Sequence, residues 1–179
     1  APEPCSKRGN QNSQKGAIMS RSFRFWLGAF VVGLAGVCTT TSAGDKDFKD
    51  LFNGKDLTGW KTILAGGKED DGKVFSVKDG VVVVSGKPSG YFYTEKSYKN
   101  YVLRYDWKFI KDGNSGLLVH ITGKHNVWPK CVEVQGQQKD HGNIFAIGGA
   151  KGKFKKDGEA QKKAIKTGEW NTTEVTVKN

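Results

Sequence analysis

Short runs of alternating apolar and polar residues, separated by Gly, Asn and Asp, fill most of the chain after residue 70. The clearest is Tyr101–Phe109, where Leu103, Tyr105, Trp107 and Phe109 alternate with Val102, Arg104, Asp106 and Lys108. Successive side chains of a strand point to opposite faces, so this run predicts a strand with one face in a core. Val74–Val77 and Val81–Ser85 flank Asp79-Gly80, a two-residue hairpin signal, and Tyr91–Thr94 continues the pattern. Further strands are expected at Leu117–Thr122, Cys131–Gln135 and Asn143–Ile147, and a late one carries Val175 and Val177 on one face. Asp47–Lys61 reads instead as a compact loop, with turns at Asn53-Gly54 and Thr58-Gly59 and with Leu51, Phe52, Leu57 and Trp60 as anchors. Gly148 to Gly168 is rich in Gly and Lys and reads as a long loop with a helical turn around Glu159–Lys166. Loops of that length in compact domains are usually functional lids or flexible.

Two of the short runs carry the chemistry. Strict alternation puts Leu118, His120 and Thr122 on one face of the first, opposite Leu117, Val119 and Ile121. In the second, Glu133 and Gln135 oppose Val132 and Val134. Burying a lone carboxylate is costly, so Glu133 is expected to face water or a site. If both runs share a sheet, His120, Glu133 and Gln135 line one polar surface, and Asp140 and His141 reach its rim from the following loop. His125, in G-K-H-N, is expected on the surface of a loop.

The N-terminal quarter follows a different pattern. Residues 1–18 are polar and aperiodic, and read as disordered or as an extension upstream of a start at Met19. Residues 19–43 read as an export signal: Arg21 and Arg24, the apolar run Phe25–Cys38, then small residues at Thr41-Ser42-Ala43. The apolar run falls short of the roughly 18 residues of a membrane span, so no membrane insertion is expected once the signal is removed. The folded domain is expected to occupy 44–179 in an exported protein, with oligomeric state left open. Removal of the signal leaves Cys131 as the one cysteine, in an apolar run where a buried structural thiol is expected.

Composition agrees with a single folded domain, with 36% hydrophobic residues, 24 Gly and 4 Pro. The net charge of +11 falls to +7 when residues 1–43 are set aside. The lysines are scattered among Gly and Asp, and Arg104 is the only arginine after Arg24. That is a solvated surface, and no nucleic-acid partner is expected. No phosphate loop, nucleotide fingerprint or Ser-His-Asp order is present.

L-F-N-G-K-D-L-T-G-W (Leu51–Trp60) resembles the opening motif of the 3-keto-disaccharide hydrolase family. The resemblance continues in order through S-V-K-D-G-V-V-V-V, K-N-Y-V-L-R-Y-D-W-K-F, G-N-S-G-L-L-V-H, V-E-V-Q and G-E-W-N-T-T-E-V-T-V, from about Phe48 to the C-terminus. It implies an all-β, concanavalin-like jelly-roll β-sandwich of two antiparallel sheets. It also implies that a further family strand belongs after Asn179. The implied activity is cleavage of 3-keto-glycosides or 3-keto-disaccharides, by elimination and hydration, with a small carbohydrate as partner. A non-catalytic, lectin-like sugar-binding module is the alternative, since fold does not fix function.

Such chemistry needs a base, a proton donor for the leaving oxygen and stabilisation of an enolate. His141, Glu133 and His120 are the candidate catalytic residues. Asp140 would orient His141, although relatives often carry Arg at the position of His120. Gln135, Arg104, Asn114, Trp128 and Asp140 are the candidate sugar-binding residues, Trp128 by stacking. No cofactor is required by the sequence. His120, Glu133 and His141 form a mixed N/O set suited to a divalent metal such as Zn²⁺ or Mn²⁺, with a spacing that matches no compact ligand motif.

Overall fold

The computed structural model describes residues 18–27, 48–154, 163 and 165–178. Within them the chain is an all-β protein built from antiparallel sheets. The strands are β1 (Ile18–Leu27), β2 (Lys49–Asp50), β3 (Trp60–Leu64), β4 (Phe75–Lys78), β5 (Val81–Val84), β6 (Gly90–Thr94), β7 (Tyr101–Phe109), β8 (Gly116–Thr122), β9 (Lys130–Gln135), β10 (Ile144–Ile147) and β11 (Asn171–Val177). The largest sheet runs β11-β7-β1-β5-β4, with β2 paired to β1; the others are β10-β9-β8 and β3-β6. The helical turn expected around Glu159–Lys166 lies mostly outside the described residues.

Most of these elements follow from local pattern. Strand β7 buries Leu103, Trp107 and Phe109 on one face, as its alternation requires. The β4–β5 hairpin closes on Asp79 and Gly80, whose φ angles of 52° and 74° are those of a tight primed turn. Asp70 fixes the entry to β4, its carboxylate accepting the N–H groups of Val74 (3.0 Å) and Phe75 (2.6 Å). The Asn53–Thr58 turn is held by its own side chains: Asn53 Oδ1 accepts the N–H of Asp56, and Asp56 Oδ1 accepts the N–H of Thr58. Hydrogen bonds to its carboxylate from the Thr58 side chain, from Asn53 Nδ2 at 2.8 Å and from the Thr58 N–H hold Asp56 down to about 2. Phe52 is then buried, and the indole N–H of Trp60 donates to the Leu51 carbonyl at 2.9 Å.

Strand β1 is the departure. Ile18–Leu27 covers the front of the expected export signal, yet it lies between β5 and β7 and pairs with β7 along its whole length. The rest of that signal, residues 28–43, lies outside the described residues, as do residues 1–17. Phe23 of β1 is the hub of an aromatic cluster. Its ring centroid lies 5.2 Å from Trp60, 5.7 Å from Phe92 and 6.0 Å from Tyr105. Val82, fully buried, and Phe52 complete this core.

Alternation also fails at one point that matters for the site. Strands β8 and β9 pair in register from Gly116↔Gln135 to Val119↔Val132, then shift before Thr122↔Lys130. His120 stands in this bulge with φ +55°, a conformation uncommon for residues other than Gly. A bulge re-aims the residue it contains, so the face of His120 is set by the bulge and not by its place in the run.

If β1 is integral to the sheet, Phe23→Ala should cost about 3–5 kcal/mol of stability, the range for truncating a core Phe. Chemical denaturation measures this, and a loss below about 1 kcal/mol would show that the sheet stands without β1.

Candidate functional site

A cavity of about 880 Å³ opens between the inward row of β7 and the facing surfaces of β6, β8 and the loop after β8. Tyr101, Leu103, Tyr105, Trp107 and Phe109 supply the β7 wall. Burial pushes the Tyr105 phenol up to about 12, so it stays protonated and adds no charge.

Glu133 is one of two carboxylates that line this cavity, the other being Glu95 near its β6 end. It stands opposite Leu118 across the β8–β9 ladder, and its side chain lies over Gly116. A Cβ at Gly116 would fall 2.6 Å from Glu133 Oε1 and 3.0 Å from its Cγ. The glycine therefore gives the carboxylate its resting place. Burial pushes the Glu133 carboxyl above its ordinary value, toward the range where a carboxylate works as a base near neutral pH. Cys131 lies two residues away on the same strand and is 1% exposed. Burial, and secondarily Glu133, pushes its thiol up, which leaves it a packing residue.

The structure brings four of the expected site residues to this cavity: Glu133, His120, Asn114 and Trp128. Trp128 is 62% exposed. The other four do not line it. Arg104 lies in the outward row of β7, where its guanidinium grips Glu174 of β11 (2.9 and 3.1 Å) and covers the Phe48 ring at 4.4 Å. Alternation sends it away from the sugar-sized space by the same rule that sends Tyr105 and Trp107 into it. Gln135 closes the turn after β9, its Oε1 accepting the N–H groups of Gly136 and Gln137, both at 2.9 Å. Asp140 lies in a short 3-10 turn, Gln138–Asp140, and its carbonyl accepts the Asn143 N–H at 3.1 Å.

His141 is 5% exposed and stacks on Trp107, with ring centroids 5.2 Å apart. Burial holds its imidazole below the ordinary value, against an opposing hydrogen bond to the Gly136 backbone. It is thus a neutral ring packed against a residue of the cavity wall, where a rim base was expected. A D-H-G-N string reads as a surface loop because its residues are polar; only the packing of Trp107 over the ring reverses this. The metal set is also not assembled. Among the described residues no three His, Cys, Asp or Glu side chains cluster as ligands, so His120, Glu133 and His141 do not form a common metal centre.

Sequence reading missed the aromatic end of the cavity. Tyr91 and Tyr93 project from β6 toward His125, whose ring stacks on Tyr93 at 4.1 Å and whose Nδ1 lies 2.9 Å from the Tyr91 hydroxyl. All three line the cavity. The alternation of Tyr91, Phe92 and Tyr93 was the available signal, since it places the two tyrosines on one face and Phe92 on the other. His125, expected as a surface loop residue, is instead half-buried and partnered.

Two outcomes follow for Glu133. A carboxyl raised in the folded state gives stability that is complete below its unfolded pKa and is lost as pH rises through the folded one. Glu133→Gln should therefore raise the melting temperature at about pH 7.5, and the gain should vanish below about pH 4. Equal melting curves at neutral pH would show that the carboxyl is not desolvated. Gly116→Ala should displace the carboxylate and, because the new Cβ also meets the Val134 carbonyl oxygen at 3.0 Å, cost some stability without unfolding the strand pair. If the site is catalytic, the turnover loss should be about 10²-fold, as for a misplacement near 1 Å; full activity would mean that the position of Glu133 is immaterial.

Comparison with curated proteins and with solved structures finds no match. Among protein families, the 3-keto-alpha-glucoside-1,2-lyase-like domain matches residues 47–179, from just ahead of β2 through β11. That span contains Glu133, the cavity walls contributed by β6 to β8 and the ordered series of motifs read from the sequence. The chain belongs to the 3-keto-alpha-glucoside-1,2-lyase-like domain family.

Proposed function

We propose that this protein is an exported enzyme that cleaves 3-keto-glycosides by elimination followed by hydration. The observation that carries the reading is Glu133, a carboxyl raised by burial on the wall of an aromatic-lined cavity, in a chain of this family. The cavity volume falls within the range of about 300–1,000 Å³ usual for small-ligand sites. A ketone at carbon 3 acidifies the proton on carbon 2. Glu133 takes that proton, the electron pair passes toward the ketone, and the carbon-1 oxygen leaves with a proton from a donor. Water then adds its oxygen to carbon 1, and Glu133 returns the proton to carbon 2. Asn114 and His120 stand where they can hold hydroxyls, and exposed Trp128 offers a stacking face for a sugar ring.

Export is part of the proposal and rests on the apolar run Phe25–Cys38 followed by Thr41-Ser42-Ala43. Cleavage after Ala43 would remove β1, so signal removal and the paired β1 exclude each other within one molecule. No helix among the described residues is long and apolar enough to cross a membrane. The exposed Trp128 also suits a sugar-binding module without turnover, which is the second reading.

Incubation with 3-keto-trehalose or a 3-keto-glucoside, in buffer supplemented with divalent metal, should release free sugar. Glu133→Gln should lower that rate by about 10²-fold or more while sugar binding persists. A wild-type protein that binds unoxidised sugar and releases nothing from the keto sugar would replace the enzyme with the lectin-like reading. For export, mass spectrometry of protein secreted by an expressing bacterium should find an N-terminus near Gly44. An N-terminus upstream of Ile18 on secreted protein would refute cleavage.

A further inference from the structure

Elimination leaves one requirement unassigned: a group that gives a proton to the departing oxygen. Glu133 cannot supply it in the same step, because it is receiving the proton of carbon 2. His141 is packed behind Trp107, and His120 is exposed at a bulge. The Tyr91 hydroxyl is differently placed. It lines the cavity and lies 2.9 Å from His125 Nδ1. The imidazole is fixed in turn by its stack on Tyr93, at 4.1 Å and 17° between planes. Tyr91, on β6, and Glu133, on β9, line the same cavity.

We infer that Tyr91 is the proton donor to the leaving oxygen, and that His125 positions it by donating its Nδ1–H to the phenol oxygen. With that N–H on the oxygen, the hydroxyl proton is left free to point away from it. The same donor stabilises the phenolate that forms when the proton departs. Burial pushes the Tyr91 phenol up to about 12, so the proton is present throughout the neutral range.

The balance closes over two half-reactions. In the first, the Glu133 carboxylate takes the carbon-2 proton, the carbon-1 to oxygen bond breaks and the leaving oxygen takes the Tyr91 proton. In the second, the Tyr91 phenolate takes a proton from water as the hydroxide adds to carbon 1, and the Glu133 carboxyl returns its proton to carbon 2. Both groups end as they began, with one water consumed.

This assignment rests on the elimination reading, and the two can fail separately. Tyr91→Phe keeps the ring and removes the hydroxyl. On a 3-keto-disaccharide, kcat should fall about 10²–10⁴-fold with KM little changed. On a 3-keto-glucoside with a nitrophenolate leaving group, which departs without a proton, the deficit should shrink to within about threefold. Glu133→Gln should lose activity on both substrates. His125→Asn retains a donor near the Nδ1 position and should keep most activity, whereas His125→Phe keeps the stack and should lose it. Nitrogen NMR of the free wild-type protein should show His125 protonated at Nδ1. Equal losses of Tyr91→Phe on both substrates, no loss on either, or a His125 Nδ1 without its proton would overturn the assignment and leave elimination standing. A wild type inactive on both substrates would overturn both.

Discussion

Strand β7 needs a hydrogen-bonding partner on each edge, and this requirement organises the rest of the molecule. It crosses the middle of the protein with one row of large apolar and aromatic side chains, and a buried strand cannot leave its N–H and C=O groups unmade. Strand β11 satisfies one edge through Asn171↔Trp107 to Val177↔Tyr101, and β1 satisfies the other. With both ladders made, the strand cannot rotate. Tyr101, Tyr105 and Trp107 are then committed to the cavity, and Arg104 and Asp106 to the outer surface, where Glu174 and Thr172 meet them. The same placement gives Tyr105 and Phe23 their stacked contact, which ties the cavity wall to the core.

That requirement makes the N-terminal segment ambiguous on physical grounds. An export signal needs a positive start and an apolar run; a central strand needs apolar and β-forming residues that pair on both sides. Ile18–Leu27 supplies the positive start and the first three apolar residues of the one, and the paired aromatic and aliphatic positions of the other. Strand β1 alone connects the β4–β5 hairpin to β7 within the large sheet. A chain that loses it retains β7 paired on one side, with an open edge of the kind that recruits another strand. The choice between address and structural element is therefore also a choice of how the edge of β7 is covered.

Elements fixed by local pattern were legible in the sequence, and elements fixed by distant neighbours were not. Strand β7, the Asp79-Gly80 hairpin, and strands β8, β9 and β11 follow from alternation and turn chemistry, with boundaries displaced by at most a few residues. Strand β3 was hidden because Trp60 reads as the anchor of a loop, although its backbone pairs with Thr94. Within the site, Glu133 was legible because a carboxylate alternating with valines has few places to go. His120 reaches the cavity with Glu133 as alternation suggested, but from a bulge that no residue of the run announces. Tyr91 and His125 are 34 positions apart, and His141 owes its burial to Trp107 on another sheet. Such pairings exist only once the sheets are assembled.

On the proposed elimination, the placement of Glu133 explains why a carboxylate is set into an aromatic cavity at a cost in stability. An exposed carboxylate is too weak a base to take a proton from carbon, whereas one lifted by desolvation is better matched to the task. Burial beside a salt-bridged arginine would have had the opposite effect, lowering the pKa and quenching the base. The structure keeps these environments apart: Arg104 is engaged by Glu174 on the far face of β7, while Glu133 rests on Gly116 inside the cavity. A positive residue at Leu118, directly across the ladder from Glu133, would favour the carboxylate and weaken the base by the same interaction. The separation of the β7 guanidinium from the β9 carboxylate is thus what leaves Glu133 raised by burial without an arginine beside it to lower it.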